Sequence, residues 1–461
     1  MTIETMPKPK LSLATRLLGL LIAAGLTLAG IIFGFMQALP VQYIILSAVA
    51  TLALSAWVWR FLAGQFAASA SGDAGATGVS GPEFQAAWVN HRVGIIGFLI
   101  LAGIFAILSV AVDGFFNIYS IISVLILVVI IVLTVKFSGY MAENRSSFIG
   151  LMVLAGLFSV GSMTIEGFAS TGNVKSMLVF ASFLGLACVG QTLVALLGGL
   201  DLSIPFVIGA ANVGLLYIIG LGVPPWLAFI VVILVGALLG LINGILSYRL
   251  QGQALIVTLG VGFAVSGGTQ IITSLGSAYS GNVFGEVPGW LSNIAAMNGT
   301  TFGMNFPAVI AIWVIMAALL IYALKYTVYG RYLYALGVNR VSASRVNVSE
   351  KAYWFGAYII SGAFSAFTGA LLLGWSGGGF IGVGDPYLFM TIAAVVVGGT
   401  SLLGGSGGYG FTVIGVLVLQ VLTSFLVGIG LNFQWQQFIF GLLILPMVAL
   451  YARSPHIRTQ I

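Results

Sequence analysis

Two groups of residues in this sequence have types and spacing that could do chemistry. The first is polar groups set inside apolar runs, with Asp201 foremost. It sits in Gly198-Gly199-Leu200-Asp201-Leu202-Ser203, between long apolar stretches. A carboxylate there is costly to bury, so it either meets a solute or caps the following helix, through Asp201 or Ser203. Asn243, Thr258 and Gln270 are uncharged polar residues in other apolar runs. They can hydrogen-bond a solute or bond one helix to another. A second glycine cluster, Val397 to Gly408, contains Gly398, Gly399, Thr400 and Ser401. The second group is cationic: Lys325, Arg331, Arg340, Arg345 and Lys351 follow one another with only Glu350 against them. Within that run Gly330-Arg331 and Gly337-Val338-Asn339-Arg340 read as steps that break a helix and offer guanidinium donors, as a docking elbow requires.

Other chemistry has little material. Cys188 is the one cysteine and lies in an apolar run, so it reads as a packing thiol. His91 and His456 are far apart in polar ends, and no metal site or catalytic residue is expected. There is no G-x-x-x-x-G-K-[ST] phosphate loop, so ATP, if used, is hydrolysed by another chain.

The elements that must position these residues are membrane helices. With 60% hydrophobic and 6% charged residues in 461, the chain lacks the polar surface to cover a soluble globule. It reads as an all-α polytopic membrane protein. Apolar runs of roughly 20 residues place about 14 transmembrane helices, near 14–36, 41–62, 93–112, 118–136, 148–165, 177–198, 203–221, 226–248, 254–275, 305–325, 353–374, 387–404, 408–430 and 434–452. The first of these follows Lys8, Lys10 and Arg16 and is too long for a cleaved signal.

Charge parity orients the spans. With the N-terminus inside, Arg60, Arg92, Lys136, Arg145, Arg249, the run 325–351, Arg453 and Arg458 all fall on the cytoplasmic side, and the C-terminus with them. Asp113, Glu166, Glu286 and Asp385 fall outside, and Lys175 is the exception. The net charge of +6 therefore marks topology, and no nucleic acid is expected as a partner. Residues 65–92 form a Gly/Ala/Ser linker, and 276–304 an external segment with Trp290 as an interfacial anchor.

Glycines divide into two uses. Gly236, Gly240 and Gly244, and likewise Ser361, Ser365 and Gly369, recur every four residues and line one helix face for close packing. The clusters at 198–203 and 397–408 are different, because such backbone cannot continue a helix against lipid. It must be shielded by protein or border a wet cavity. Interrupted helices of this kind expose amides and carbonyls to a polar solute in transporters.

Taken together, several stretches resemble the permease subunits of ribose-, galactose- and xylose-type ABC importers. They are Gly198 to Ser203, Ile256-Val257-Thr258-Leu259-Gly260, Tyr329-Gly330-Arg331 with Ala335 to Arg340, Ala393 to Ser401 with Gly404-Gly405, and Trp435-Gln436 with Gly441. Their order matches, over roughly residues 145 to 452. Where that family usually has Val-Gly-Ser, this chain has Ile204-Pro205-Phe206, and Pro205 suits a first helical turn.

The resemblance implies a 10-helix permease core, 146–453; the apolar runs place about 4 extra helices ahead of it in residues 1–145, which have no counterpart in the family's usual form. It also implies a second permease, cytoplasmic ABC ATPase subunits carrying ATP and Mg, and an extracytoplasmic solute-binding protein. The location implied is a bacterial-type cytoplasmic membrane. Segment 325–351 becomes the coupling loop, with Gly330, Arg331, Gly337, Asn339, Arg340 and Arg345 facing the ATPase. Gly198, Gly199, Asp201, Ser203, Asn243, Thr258, Gly399, Thr400 and Ser401 become the solute pathway. The solute implied is a monosaccharide. The rival reading is an ion- or proton-coupled secondary transporter, which needs intramembrane carboxylates or histidines, and Asp201 is nearly alone.

Overall fold

Helix boundaries in this chain are set by single residues with clear physical roles. The computed structural model describes residues 145–250, 254–274, 281–301 and 303–451, all within one compact unit. The spans expected before residue 145, the 65–92 linker and the terminal cations Arg453 and Arg458 lie outside the described residues. The core begins with α1 (Arg145–Thr164) and α2 (Thr171–Leu196), the latter started by Ser170, which accepts from the Asn173 amide at 3.3 Å. Then come α3 (Ile204–Gly220), with Pro205 in its first turn, α4 (Pro225–Arg249) and α5 (Ala254–Ser274).

Residues expected to form an external segment fold into strand β1 (Asn282–Val283) and helix α6 (Gly289–Ala295). After α7 (Ala308–Tyr326) the basic run forms α8 (Val328–Val338) and α9 (Arg340–Arg345). Next is α10 (Glu350–Ser376), capped by Ser349 and ended by Gly377 at φ 73°, a left-handed conformation that favours glycine. Strand β2 (Gly379–Phe380) pairs antiparallel with β1, Asn282 opposite Phe380. A 3₁₀ turn (Ile381–Gly384), α11 (Tyr387–Gly398), α12 (Tyr409–Gly428) and α13 (Phe433–Tyr451) complete the described chain.

Every span expected from 148 onward is therefore a helix, with one correction. The 387–404 span stops at Gly398 after 12 residues, because Gly399 turns left-handed at φ 103°. Among the described residues seven helices are long and apolar enough to cross a bilayer, counting α11 with its preceding turn. Leu234, Leu238, Ile256, Phe263, Ile271, Val314 and Leu319 point outward from α4, α5 and α7. Such apolar surface suits lipid and not water, so the chain is a multi-pass membrane protein.

α2 and α10 are the most buried of these helices, and α10 packs along α4, α3 and α2. Small residues make that packing possible. A β-carbon on Gly236 or Gly240 would overlap the carbonyl of Gly362 or Tyr358, and one on Gly190 would overlap the Ser361 backbone. The four-residue glycine spacing thus serves helix contact, as expected. Replacing Gly240→Ala is expected to cost about 1–3 kcal/mol through overpacking. Its thermal unfolding midpoint should fall, whereas that of Gly356→Ala, where a β-carbon meets nothing, should hold.

Candidate functional site

The first helix interruption is built by the end of α2. Gly198 is left-handed at φ 76°, and the Gly198 and Gly199 amides donate back to Ala195 O at 2.8 Å and Val194 O at 2.9 Å. This satisfies carbonyls that a helix end would otherwise leave bare. Beyond it Asp201 is 2% exposed and has no cation against it among the described residues. Its Oδ1 accepts from the Ser203 amide at 3.0 Å and the Ser203 hydroxyl at 2.6 Å. Its Oδ2 accepts from the Ser361 hydroxyl at 2.7 Å.

Neighbouring helices close around this turn. Asn243 of α4 donates to Ser203 Oγ at 2.7 Å. Thr258 Oγ1 of α5 accepts from the Leu202 amide at 3.0 Å, and Gln191 Oε1 of α2 accepts from the Asp201 amide at 3.3 Å. One turn thus joins α2, α3, α4, α5 and α10. Two groups of that shell stay unspent: Gln191 Nε2 and Asn243 Oδ1 are buried with no partner among the described residues. An unmade hydrogen bond there costs free energy, and it is also polar capacity that a ligand can use.

The second interruption lies between α11 and α12. Gly399, Gly404, Gly405, Gly407 and Gly408 all have positive φ, from 69° to 145°. Thr400 Oγ1 accepts from the Gly408 amide at 3.1 Å and reaches Gly408 O at 3.2 Å. Ser401 Oγ accepts from the Leu403 amide at 3.1 Å. The two interruptions touch, since the Gly405 amide donates to Leu196 O at 2.9 Å.

The basic segment packs on that junction. Gly337 lies so close to Leu196 O and Gly405 N that a β-carbon would overlap both. Tyr334 donates its hydroxyl to Gly407 O at 2.8 Å. Burial pushes the Tyr334 phenol above its ordinary value, so it remains a donor at any physiological pH. Arg340 donates to Leu197 O at 2.9 Å and to Glu350 at 3.2 Å, and its guanidinium sits 4.6 Å from the Trp354 ring centroid. A cavity of about 250 Å³ opens beside it, bordered by Gly198, Gly199, Ser247 and Leu255.

These positions correct several expectations. Gly330 and Gly337 do not break a helix, because both lie inside α8. The breaks fall at Thr327 and Asn339, whose side chains cap α8 and α9 by accepting from the Gly330 amide at 3.4 Å and the Ser342 amide at 2.9 Å. The glycines are needed for close approach, Gly330 against Leu324 O and Gly337 against the interruptions. Arg340 turns inward, whereas Arg331, Asn339 and Arg345 are exposed.

Asp201, Ser203, Asn243 and Thr258 come together, with Gly198 and Gly199 adjoining. Gly399, Thr400 and Ser401 instead close their own loop. Gln270 bonds Ser266 within α5 at 3.3 Å and, among the described residues, hydrogen-bonds to no other helix. Sequence reading passed over Ser361, whose spacing marked it as a packing residue, and Gln191 and Asn212. The last two carry a signal, an amide side chain in an apolar run. Asn212 ties α3 to Gly369 O at 3.2 Å and to the Phe380 amide at 2.8 Å. Cys188 is fully buried, the packing thiol its sequence context suggested.

Residues 173–448 match the family described as branched-chain amino acid transport system / permease component. Among curated proteins, the chain is 31% identical to a ribose import permease of Haemophilus influenzae over 67% of this chain and 93% of that one. It is likewise 31% identical to a fructose import permease of Rhizobium meliloti, over 65% and 83%. The Escherichia coli ribose import permease is 29% identical over 66% and 91%. No solved structure matches the chain. A match over most of the interrupted-helix core, together with relatives covered almost end to end, assigns the chain to this transport-permease family, among the sugar import permeases of the ABC type.

Proposed function

We propose that this chain is the membrane permease subunit of an ATP-driven importer of a small polyhydroxylated solute, a monosaccharide foremost. Power comes from separate ATPase subunits docked on the segment 325–351, and a second permease and an extracytoplasmic binding protein complete the assembly. The carrying observation is the junction itself, where the two interruptions of the membrane helices and the basic segment share direct contacts. Movement of a docked ATPase has a short mechanical route from there to the Asp201 turn.

Two further features support the reading. The segment 328–346 exposes Tyr329, Val338, Val341 and Val346, each at least 63%, together with Arg331 and Arg345. Exposed apolar side chains among cations are suited to a protein partner at the membrane surface. In the shell of Asp201, the unpartnered Gln191 amide nitrogen can donate and the unpartnered Asn243 amide oxygen can accept, the two kinds of hydrogen bond that hydroxyl groups make. Residues 1–145 then precede the permease core as an additional membrane segment, and this chain holds no cofactor of its own in the reading.

Proteoliposomes containing the complex that co-purifies with the full chain provide the test. Uptake of radiolabelled ribose or fructose should require internal ATP and withstand proton and sodium ionophores. Uptake driven by an ion gradient, or by the chain reconstituted alone, would replace the proposal with secondary transport.

A further inference from the structure

The segment α8–α9 does not hang free at the membrane surface; two side chains fasten it to both helix interruptions. Arg340 opens α9 directly after the Asn339 cap and points away from the exposed face. Its Nη2 donates to Leu197 O at 2.9 Å, at the carbonyl end of α2. That end carries the partial negative charge of the helix, which favours a cation. The other arm of the fork meets Glu350 at 3.2 Å, at the first turn of α10, the only ion pair among the described residues. The guanidinium plane rests on Trp354, which in turn donates to Ser247 of α4 at 3.0 Å. Tyr358, one turn along α10, donates to Leu200 O at 3.2 Å, within the Asp201 turn. On the other interruption, Tyr334 holds Gly407 O.

We propose that Arg340 and Tyr334 are positioning residues that fix the two interruptions to α8–α9, so that displacement of that segment moves the 198–203 and 404–408 turns together. The proposal rests on the importer reading for its purpose, but its geometry stands apart from any solute. Arg340 is the stronger of the two contacts, because its fork engages a helix end and a carboxylate at once. The cavity beside Gly198 and Gly199 leaves room for the turn to shift when the contact is pulled.

Hydrogen exchange on the full chain in lipid nanodiscs reads this directly and needs no solute. Arg340→Gln should raise exchange at 198–203 by about tenfold, as local opening becomes easier. Arg331→Gln and Arg345→Gln, exposed cations of the same segment, should leave it at the wild-type rate. Arg340→Lys should recover most of the protection, since an ammonium can still donate to Leu197 O. Tyr334→Phe, a milder change that keeps the ring, should raise exchange at 404–408 and, through the Gly405–Leu196 contact, at 198–203 as well.

Exchange confined to 340–346 in Arg340→Gln, or to 404–408 in Tyr334→Phe, would overturn the proposal. Should Arg340→Gln not yield folded protein, Tyr334→Phe decides alone. ATP-dependent uptake by a wild type whose variants exchange normally removes this inference and leaves the function intact. ATP-independent uptake removes the function and leaves the exchange result standing.

Discussion

Asp201→Ala is expected to destabilise the described core by about 3 kcal/mol or more, and Asp201→Asn by much less. The alanine strips the acceptor from the Ser203 amide, the Ser203 hydroxyl and the Ser361 hydroxyl, all buried. Each buried donor left without a partner costs about 1–3 kcal/mol, and relaxation of the hydroxyls recovers part of the sum. Asparagine keeps an oxygen for Ser203 and turns its amide toward Ser361, whose hydroxyl then accepts. Thermal unfolding in detergent separates the two variants. Uptake in proteoliposomes should be lost in Asp201→Ala and reduced in Asp201→Asn, because the turn that joins five helices loses its charge. Equal stability of Asp201→Ala and wild type would mean that the carboxylate does not organise this turn.

The second large effect is expected at Gly337. A side chain there must occupy the space of Leu196 O and Gly405 N, both backbone atoms that cannot swing aside. Gly337→Val therefore lifts α8 off both interruptions at once. The backbone atoms nearest to Gly337 belong to Leu196 and Gly405, and the close packing of α10 on α4 rests on other glycines, Gly236 and Gly240. Under the proposed function, the expected result is a folded chain that keeps an ATPase partner but transports at least about a hundredfold more slowly, equivalent to roughly 2.7 kcal/mol of lost coupling. Unfolding midpoint, ATPase retention and uptake, measured on the same preparation, check this. Normal uptake in Gly337→Val would show that the contact transmits nothing. Gly330→Val is a useful companion, because its overlap is with Leu324 O inside the same elbow. It should disturb the turn between α7 and α8 before any effect on the interruptions appears.

The legible and the illegible residues divide along physical lines. Helix positions were readable because the bilayer sets both length and hydropathy, so α2, α4, α5, α7, α10 and α12 stand close to the ranges their apolar runs suggest. The interruptions were readable because consecutive glycines and a carboxylate cannot continue a helix in lipid. Gly198 and Gly399 do turn left-handed where the sequence breaks. The packing use of Gly236 and Gly240 followed from periodicity alone. Ser361 and Gln191 were not readable as members of the Asp201 turn, because a serine or glutamine gives no sign of which distant helix it will face. The role of Gly337 was misread for the same reason. A glycine that permits contact and a glycine that ends a helix look identical until the neighbour is known.

By itself the sequence determined a multi-pass membrane protein whose helices are broken at two glycine-rich points and whose cations gather in one segment between spans. Those properties depend on local composition and on the length scale of the bilayer. Only the tertiary structure decided that the two breaks touch each other, that Asp201 is held by a hydroxyl two residues away together with one from a helix 160 positions later, and that Arg340 faces inward to the end of α2. Such contacts join parts of the chain that no periodicity relates. They arise from packing, in which a buried carbonyl or carboxylate takes whichever donor the fold brings within reach.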